Sequence, residues 1–235
     1  MELKKGDVEL ETLNKKLNGD VFLNEYKAKY DNYKVSLLPK VLGAILVFAG
    51  RVVYGKNPSY LKFRAVEIIA RVPYQSWSSA AYTLLTLFFK DENKALELSE
   101  ITKFSRLAHD NETMHVVVIS HLCQTEHKRV SWFRNSFIPM LFSFLYFWMS
   151  YSVYLINRKW SYEINYLFEN HAFEQYTIFL HRHKDILLNK KVESRFLDWY
   201  GRKFDNQYDF FMSIRNDEII HRNVSIEQIE KIQKV

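Results

Sequence analysis

The feature that most constrains the fold is a Glu-x-x-His pair that occurs twice, as Glu112 with His115 and as Glu218 with His221. On an α-helix, residues three positions apart project from one face, so each pair presents a carboxylate and an imidazole together. Both pairs lie in stretches whose apolar residues recur at helical spacing. A buried carboxylate is costly unless positive charge offsets it or a proton neutralises it. The two pairs therefore predict helices whose polar face needs a compensating cation.

Two further glutamates, Glu67 and Glu169, lie on predicted helices that are otherwise mostly apolar on that face. One Glu from each of two helices, with Glu-x-x-His from each of two others, is the ligand set of ferritin-like carboxylate bundles that hold two irons. Oxygen-rich ligands with one imidazole per metal suit Fe or Mn better than a structural zinc. The sequence thus predicts an all-α fold, namely a ferritin-like four-helix bundle holding a diiron centre, with two further apolar helices at a membrane interface.

Simpler interpretations of each residue stay open at this level. A single Glu-x-x-His is often only a solvated pair on a helix surface, and two matches are a modest excess for this composition. Glu67 could pair with Arg71 one helical turn further on, and Glu169 could pair with His171 or with nearby lysines. A metal site is therefore expected only if all four helices contribute together.

The composition supports a helical domain. Six Gly and four Pro among 235 residues leave little room for the tight turns of a sandwich or barrel, and 48% hydrophobic residues can fill one sizeable core. We expect a polar, loosely docked N-terminal arm over residues 1–35, a single domain over 36–225 and a C-terminal tail over 226–235. The helices are predicted near 36–54, 60–89 with a kink at Pro73, 94–123, 137–156, 161–183 and 206–223.

Two of these helices are apolar enough to meet a membrane. Residues 137–156 carry no charge over twenty positions, and 36–54 are nearly as apolar. The first also contains Tyr, Trp, Ser and Pro, which favours a helix lying in the head-group region over one that spans the bilayer. Basic residues flank it at Lys128, Arg129, Arg134, Arg158 and Lys159. We expect interfacial binding, with spanning as the alternative.

The formal net charge of +6 favours a polyanionic partner, either nucleic acid or anionic lipid. The basic residues are not interleaved with aromatic ones in a nucleic-acid-binding motif, so we expect no nucleic acid partner. A single cysteine, Cys123, excludes an intrachain disulfide. The first residues match neither a secretory signal nor a transit peptide, so we expect a protein made where it works or a mature form.

Four segments resemble a known family in order and spacing: VEIIARVPY at 66–74, NETMH at 111–115, ENHAFEQY at 169–176 and RNDEIIH at 215–221. They are similar to the alternative oxidase family, and specifically to its plastid terminal oxidase branch. The resemblance covers residues 36–225.

The resemblance implies a membrane-bound, non-haem diiron quinol oxidase of plastoquinol type. Such an enzyme oxidises two quinols and reduces O2 to water without pumping protons. Its cofactor would be two Fe ions, and its partners would be plastoquinol or a related quinol, O2 and membrane lipids. Monotopic attachment to a thylakoid or equivalent quinone-containing membrane is implied, and a homodimer is plausible.

The resemblance also assigns residue roles. The implied iron ligands are Glu67, Glu112, His115, Glu169, Glu218 and His221. Tyr176 corresponds to a redox-active tyrosine near the metals, although an aromatic packing residue is the simpler interpretation. Three positions match residues that orient the ligands by hydrogen bonds, namely Asn111, Arg215 and Asp217.

The quinol site is less well defined. The family usually has Arg five residues before the first ligand, where this chain has Lys62, which carries a point charge but no planar fork. Gln175 occupies a position that the family associates with the quinone cavity. Two other functions remain candidates: another ferritin-like diiron enzyme such as a quinone-ring hydroxylase, and a non-catalytic basic helical membrane adaptor.

Overall fold

The computed structural model describes residues 5 to 233, and all regular structure in that range is helical. The α-helices are α1 (Lys5–Lys16), α2 (Asp20–Asp31), α3 (Leu37–Tyr54), α4 (Tyr60–Ala70), α5 (Val72–Phe88), α6 (Glu92–Thr125), α7 (Ile138–Ile156), α8 (Arg158–Leu188), α9 (Arg195–Tyr200) and α10 (Gln207–Gln233), and a π-helix (Phe133–Phe137) leads into α7. The predicted all-α class is confirmed. All four helices on which the metal ligands were predicted are present, as α4, α6, α8 and α10.

The chain divides into two compact units. One is formed by Met1–Gly43 with Glu163–Val235, and the other by Ala44–Tyr162. The first carries α1, α2, α9, α10 and most of α8, and the second carries α4 to α7. The predicted boundaries of arm, domain and tail stay a prediction, although α10 continues past residue 225 without a break to Gln233.

In the unit Ala44–Tyr162, α4 and α5 pack against both α6 and α7. Trp77 is fully buried, and its indole N–H donates to the Ser161 hydroxyl at 2.6 Å. The Tyr74 and Tyr162 rings pack edge to face with the Trp77 ring at centroid distances of 5.2 and 4.8 Å. Such aromatic contacts add to the stabilisation from apolar burial and fix how the helices pack.

The predicted helix over 60–89 is two helices. The helix is interrupted at Arg71, between the end of α4 and the start of α5. Pro73 lies in the first turn of α5, where its missing N–H leaves no gap in the hydrogen-bond ladder. The side chains of Ser59 and Asp91 cap the starts of α4 and α6 by accepting the backbone N–H groups of Lys62 and Lys94.

In the other unit, α1 and α2 pack against α10. The core there contains Leu17 and Leu23 of the N-terminal segment with Phe173, Ile219 and Ile220. The expected loose docking was therefore wrong for residues 5 to 31, because scattered apolar residues in a polar stretch meet on one side once the stretch becomes helical.

The two apolar helices expected from the sequence are confirmed as α3 and as the π-helix with α7. Both are long and apolar enough to cross a membrane. Large side chains point outward from them, including Phe48, which is 69% exposed, and Trp148, which is 54% exposed. Few soluble proteins expose so much apolar surface without a partner that covers it. Whether these helices span a bilayer or lie in its interface stays a prediction.

Candidate metal centre

Three of the predicted ligands meet in the unit Ala44–Tyr162. Glu67 comes from α4, and Glu112 and His115 come from α6 one helical turn apart. The Nδ1 atom of His115 lies 3.4 Å from a Glu67 carboxylate oxygen and 3.3 Å from a Glu112 carboxylate oxygen. All three side chains are at most 1% exposed. The packing of α4 on α6 therefore assembles a buried triad of two carboxylates and one imidazole.

The triad is electrostatically strained without a cation. Burial and, to a smaller extent, the neighbouring Glu112 carboxylate raise the pKa of Glu67 to about 8, although His115 opposes the shift. A proton therefore neutralises Glu67 between about pH 4.5 and about pH 8, where an exposed glutamate would be ionised. A divalent cation can take the place of that proton and hold both carboxylates in their charged form.

The other three predicted ligands meet in the second unit. Glu169 lies on α8, and Glu218 and His221 lie on α10, all at most 4% exposed. One ligand atom from each of the three lies within 4.8 Å of the others. Each unit thus holds one buried triad with the same donors.

Contacts on both sides of this second triad fix α8 against α10. Phe179 and Phe211 meet edge to face at a centroid distance of 5.0 Å. About four turns along α8 towards its N-terminus, the Asn165 amide donates to the Ser225 hydroxyl at 3.1 Å. The separation of the two ligand-bearing helices is therefore set by packing and hydrogen bonding beyond the triad itself.

The donor set fits the metal that the sequence predicted. Four buried carboxylates with two imidazoles supply hard oxygen ligands and one nitrogen for each of two ions, which suits iron or manganese. Within each unit the ligand atoms lie close enough to bind a single ion. The buried glutamates and histidines therefore match the ligands of a diiron helical bundle.

The residues predicted to orient the ligands have different surroundings. Asp217 is buried and accepts hydrogen bonds from the Arg202 guanidinium and from the Asn14 amide. Arg215 donates to Asn216 and to the backbone carbonyl of Leu17. Their role in orienting ligands stays a prediction, as does that of Asn111, which is buried next to Glu112.

Tyr176 is 1% exposed on α8, and its ring lies 6.2 Å from the Phe211 ring. It follows Glu169 by seven residues, so the two share a helix face. Gln175 is partly buried beside it. The predicted redox role of Tyr176 and the predicted quinol contact of Gln175 both stay predictions.

Lys62 is buried, and its ammonium donates to the backbone carbonyls of Gly55 and Lys56 at 3.0 and 3.1 Å. Burial lowers the pKa of Lys62, and the nearby Arg51 lowers it further. These carbonyls follow the end of α3, so Lys62 ties the start of α4 to the end of an apolar helix. Its predicted role in quinol binding stays a prediction.

Sequence reasoning missed two buried arginines beside the second triad, Arg202 and Arg222. Arg222 follows His221, is fully buried and donates to Asp31 at 2.8 Å and to Asn170 at 3.0 Å. The sequence does contain one sign of Arg222, since it lies in a stretch whose pattern predicts burial. A buried arginine needs a polar partner. That signal does not say which partner, because Asp31 is 191 positions away.

Comparisons with known proteins agree with this geometry. Residues 47–229 match the alternative oxidase family. The chain is also similar to ubiquinol oxidase 4, chloroplastic/chromoplastic, of Arabidopsis thaliana, at 23% identity over 186 residues, which cover 71% of this chain and 50% of that protein. The chain thus spans about half the length of this curated relative. No solved structure matches significantly. Because the family match covers most of the chain and all six predicted ligands, the protein belongs to the alternative oxidase family.

Proposed function

We propose that this protein is a membrane-bound, non-haem diiron quinol oxidase that oxidises two quinols and reduces O2 to two water molecules. The observation that carries the proposal is a pair of buried Glu/Glu/His triads in a member of the alternative oxidase family. Each quinol releases two electrons and two protons on becoming a quinone. Two quinols therefore supply the four electrons and four protons that O2 needs to form two waters.

In this proposal two iron ions are held by six ligands, namely Glu67, Glu112, His115, Glu169, Glu218 and His221. Bound iron would supply a redox centre that accepts electrons from quinol and passes them to O2. The protein's own contribution is to keep the ligands dry and fixed, since each of the six is at most 4% exposed. Asn111, Arg215 and Asp217 would orient the ligands.

We assign to Tyr176 the transfer of an electron and a proton during O–O cleavage. A phenol can supply both, and burial keeps bulk water away from the oxidised side chain. Lys62 and Gln175 are proposed to lie near the quinol head group. Because the Lys62 ammonium is engaged by two backbone carbonyls, its proposed part is to hold the start of α4 against the end of α3.

The exposed apolar faces of α3 and α7 support attachment to a membrane interface. A long-chain quinol dissolves in lipid, so an enzyme docked on the bilayer surface can take it up from the hydrocarbon side. Electrons and protons would then be exchanged on one side of the membrane, without proton pumping. We propose a thylakoid or equivalent membrane and plastoquinol as substrate, because the VEIIARVPY and ENHAFEQY segments resemble the plastid branch. Assembly as a homodimer is part of the same proposal.

The test is oxygen uptake by purified, iron-loaded protein with plastoquinol and ubiquinol analogues, measured with metal content. The expected result is two irons per chain and uptake with a quinol, faster with the plastoquinol analogue. As a control, Glu174→Gln changes an exposed glutamate on α8 and leaves both quantities unchanged. Folded protein with two irons and no uptake with either quinol would reject the proposal.

The same donor set also serves ferritin-like enzymes that hydroxylate quinone rings. A hydroxylase inserts one oxygen atom into its product, so the quinone gains about 16 mass units. Mass analysis of the product separates that activity from an oxidase, which returns the quinone unmodified. A non-catalytic membrane adaptor predicts no stoichiometric iron, and the metal assay separates it from both enzymes.

A further inference from the structure

A buried hydrogen-bond network lies immediately before Glu218 on α10. We infer that Asn14 of α1 and Arg202 of the α9–α10 connector are positioning residues for the metal ligands Glu218 and His221, acting through Asp217. We call Asn14, Arg202 and Asp217 the Asp217 clamp. The inference deepens the proposed function and rests on its metal site.

The geometry of the clamp leaves its carboxylate little freedom. Arg202 donates to both Asp217 oxygens, at 2.5 and 3.1 Å, and the Asn14 amide donates to one of them at 2.6 Å. All three side chains are at most 6% exposed. Planar, two-pronged pairing of this kind fixes orientation as well as distance.

The clamp holds two successive turns of α10. Besides Asp217, Arg202 donates to the Ser213 hydroxyl at 3.1 Å, and Asn14 donates to the Ser213 backbone carbonyl at 2.8 Å. In return, the Asn216 amide donates to the Asn14 carbonyl at 3.0 Å. These bonds therefore fix the axial rotation of α10 at Ser213 and Asp217.

That rotation decides where the ligands point. Asp217 directly precedes Glu218 and lies one turn before His221, so a small twist at Asp217 moves both ligand side chains. The same bonds hold the Asp217 carboxylate in its pairing with Arg202.

Part of the clamp comes from outside the family match, which begins at residue 47. Asn14 lies on α1, and Glu11 of the same helix accepts from the Arg202 Nε at 2.7 Å. The N-terminal helix thus reaches α10 through buried polar bonds, and Leu17, which directly follows this helix, adds apolar contacts. In this chain α1 therefore helps to fix the helix that carries Glu218 and His221.

Two kinds of substitution in the Arg202–Asp217 pair distinguish a role in stability from a role in positioning the ligands. Replacing Arg202 alone leaves a buried, uncompensated carboxylate and destabilises the fold, whereas replacing both partners by apolar residues of similar volume is often neutral for stability. Loss of a residue that orients a metal ligand typically weakens metal binding 10- to 100-fold, as an order of magnitude. Only the double variant therefore tests the positioning of the ligands in a protein that stays folded.

The experiment uses the full chain with three variants: Asn14→Ala, Arg202→Lys and Arg202→Met/Asp217→Leu. Fe(II) affinity is measured anaerobically by competition with a chromophoric chelator, and the Co(II) absorption spectrum reports ligand geometry. Unfolding of the metal-free proteins gives their stability. We expect the double variant to keep the parent's stability, to bind Fe(II) roughly 10- to 100-fold more weakly and to show an altered Co(II) spectrum. Asn14→Ala and Arg202→Lys give smaller losses of the same sign.

The matched control removes another ion pair between the N-terminal segment and α10. Lys29 and Glu227 lie 2.8 Å apart, and Glu227 follows His221 by six residues. Lys29→Ala/Glu227→Ala should leave Fe(II) affinity and the Co(II) spectrum unchanged.

The outcomes separate this inference from the proposed function. A folded double variant with the parent's Fe(II) affinity and Co(II) spectrum overturns the positioning role, even if quinol oxidation is confirmed in the parent. A parent that binds iron but oxidises no quinol overturns the proposed activity and leaves the clamp to be judged by affinity. A parent that binds no metal overturns both.

Discussion

Replacing Glu67 by glutamine should have opposite effects on the metal-free and metal-bound protein. Without metal, burial beside Glu112 raises the Glu67 pKa from about 4.5 to about 8. The folded state then keeps a proton that the unfolded chain releases, so stability falls as the pH rises from about 4.5 to about 8. Each pH unit within this window costs up to about 1.4 kcal/mol, and the loss between pH 6 and pH 8 is about 2 kcal/mol.

Glu67→Gln keeps the side-chain shape and removes this titration. The metal-free variant should be more stable than the metal-free parent at pH 8, with a gap that narrows by about 2 kcal/mol on going to pH 6. Bound metal should reverse the order of stability of the parent and the variant. The parent gains stability from bound iron, whereas the variant gains much less because an amide is a poor replacement for a carboxylate ligand.

The assay is denaturant-induced unfolding in detergent at pH 6, 7 and 8, with a chelator and then with Fe(II) under anaerobic conditions. Glu174→Gln is the control for a glutamate on a helix surface. Its free energy of unfolding should change with pH by the same amount as that of the parent. If the free energy of unfolding of Glu67→Gln also changes with pH as that of the parent does, Glu67 does not bind an extra proton on folding and the prediction is wrong.

Three further predictions concern the ligands, the tyrosine and the membrane face. Glu218→Ala should lose iron and oxygen uptake together, because it removes one carboxylate of a three-residue site; two irons per chain in this variant would contradict its assignment. Tyr176→Phe should keep two irons and lose most turnover, and retained iron with full quinol oxidation would reject a redox role. Phe48→Glu combined with Phe144→Glu should reduce co-flotation with anionic liposomes at least severalfold, since each places a charge on an exposed apolar face. Unchanged flotation would place the membrane contact elsewhere.

The sequence predicts the ligand-bearing helices well because their signals are local. Glu-x-x-His at helical spacing, with apolar neighbours, specifies both a helix and the face it buries. The apolar helices carry an equally local signal, an uninterrupted run of uncharged residues. Both kinds of element therefore appear where their patterns predict them, as α4, α6, α8 and α10 and as α3 and α7.

The N-terminal segment was the main error in the fold prediction. Residues 5–31 look polar because only one narrow face of each helix is apolar, and Leu17, Leu23 and Tyr30 find their partners on distant parts of the chain. Helical periodicity over the twelve residues of each helix, about three turns, is too short to reveal such a face. Burial that depends on contacts almost two hundred positions away in the sequence cannot be predicted from the local pattern of residues.

The hydrogen-bond partners of the site were beyond sequence reasoning for the same reason. Asp217 was expected to orient ligands, but nothing near it indicates that Arg202 and Asn14 would hold it. Gly201 offers the one local hint. It adopts a left-handed conformation with φ of 92° at the end of α9, which reverses the chain so that Arg202 turns back onto α10.

The central claim is that electrons from quinol reduce O2 fully to water. The most direct measurement is the ratio of quinone formed to O2 consumed by iron-loaded protein in the presence of excess quinol, with the quinone identified by mass. We expect two unmodified quinones per O2, with no hydrogen peroxide. One quinone per O2 with peroxide as product, or a quinone that has gained an oxygen atom, would contradict it.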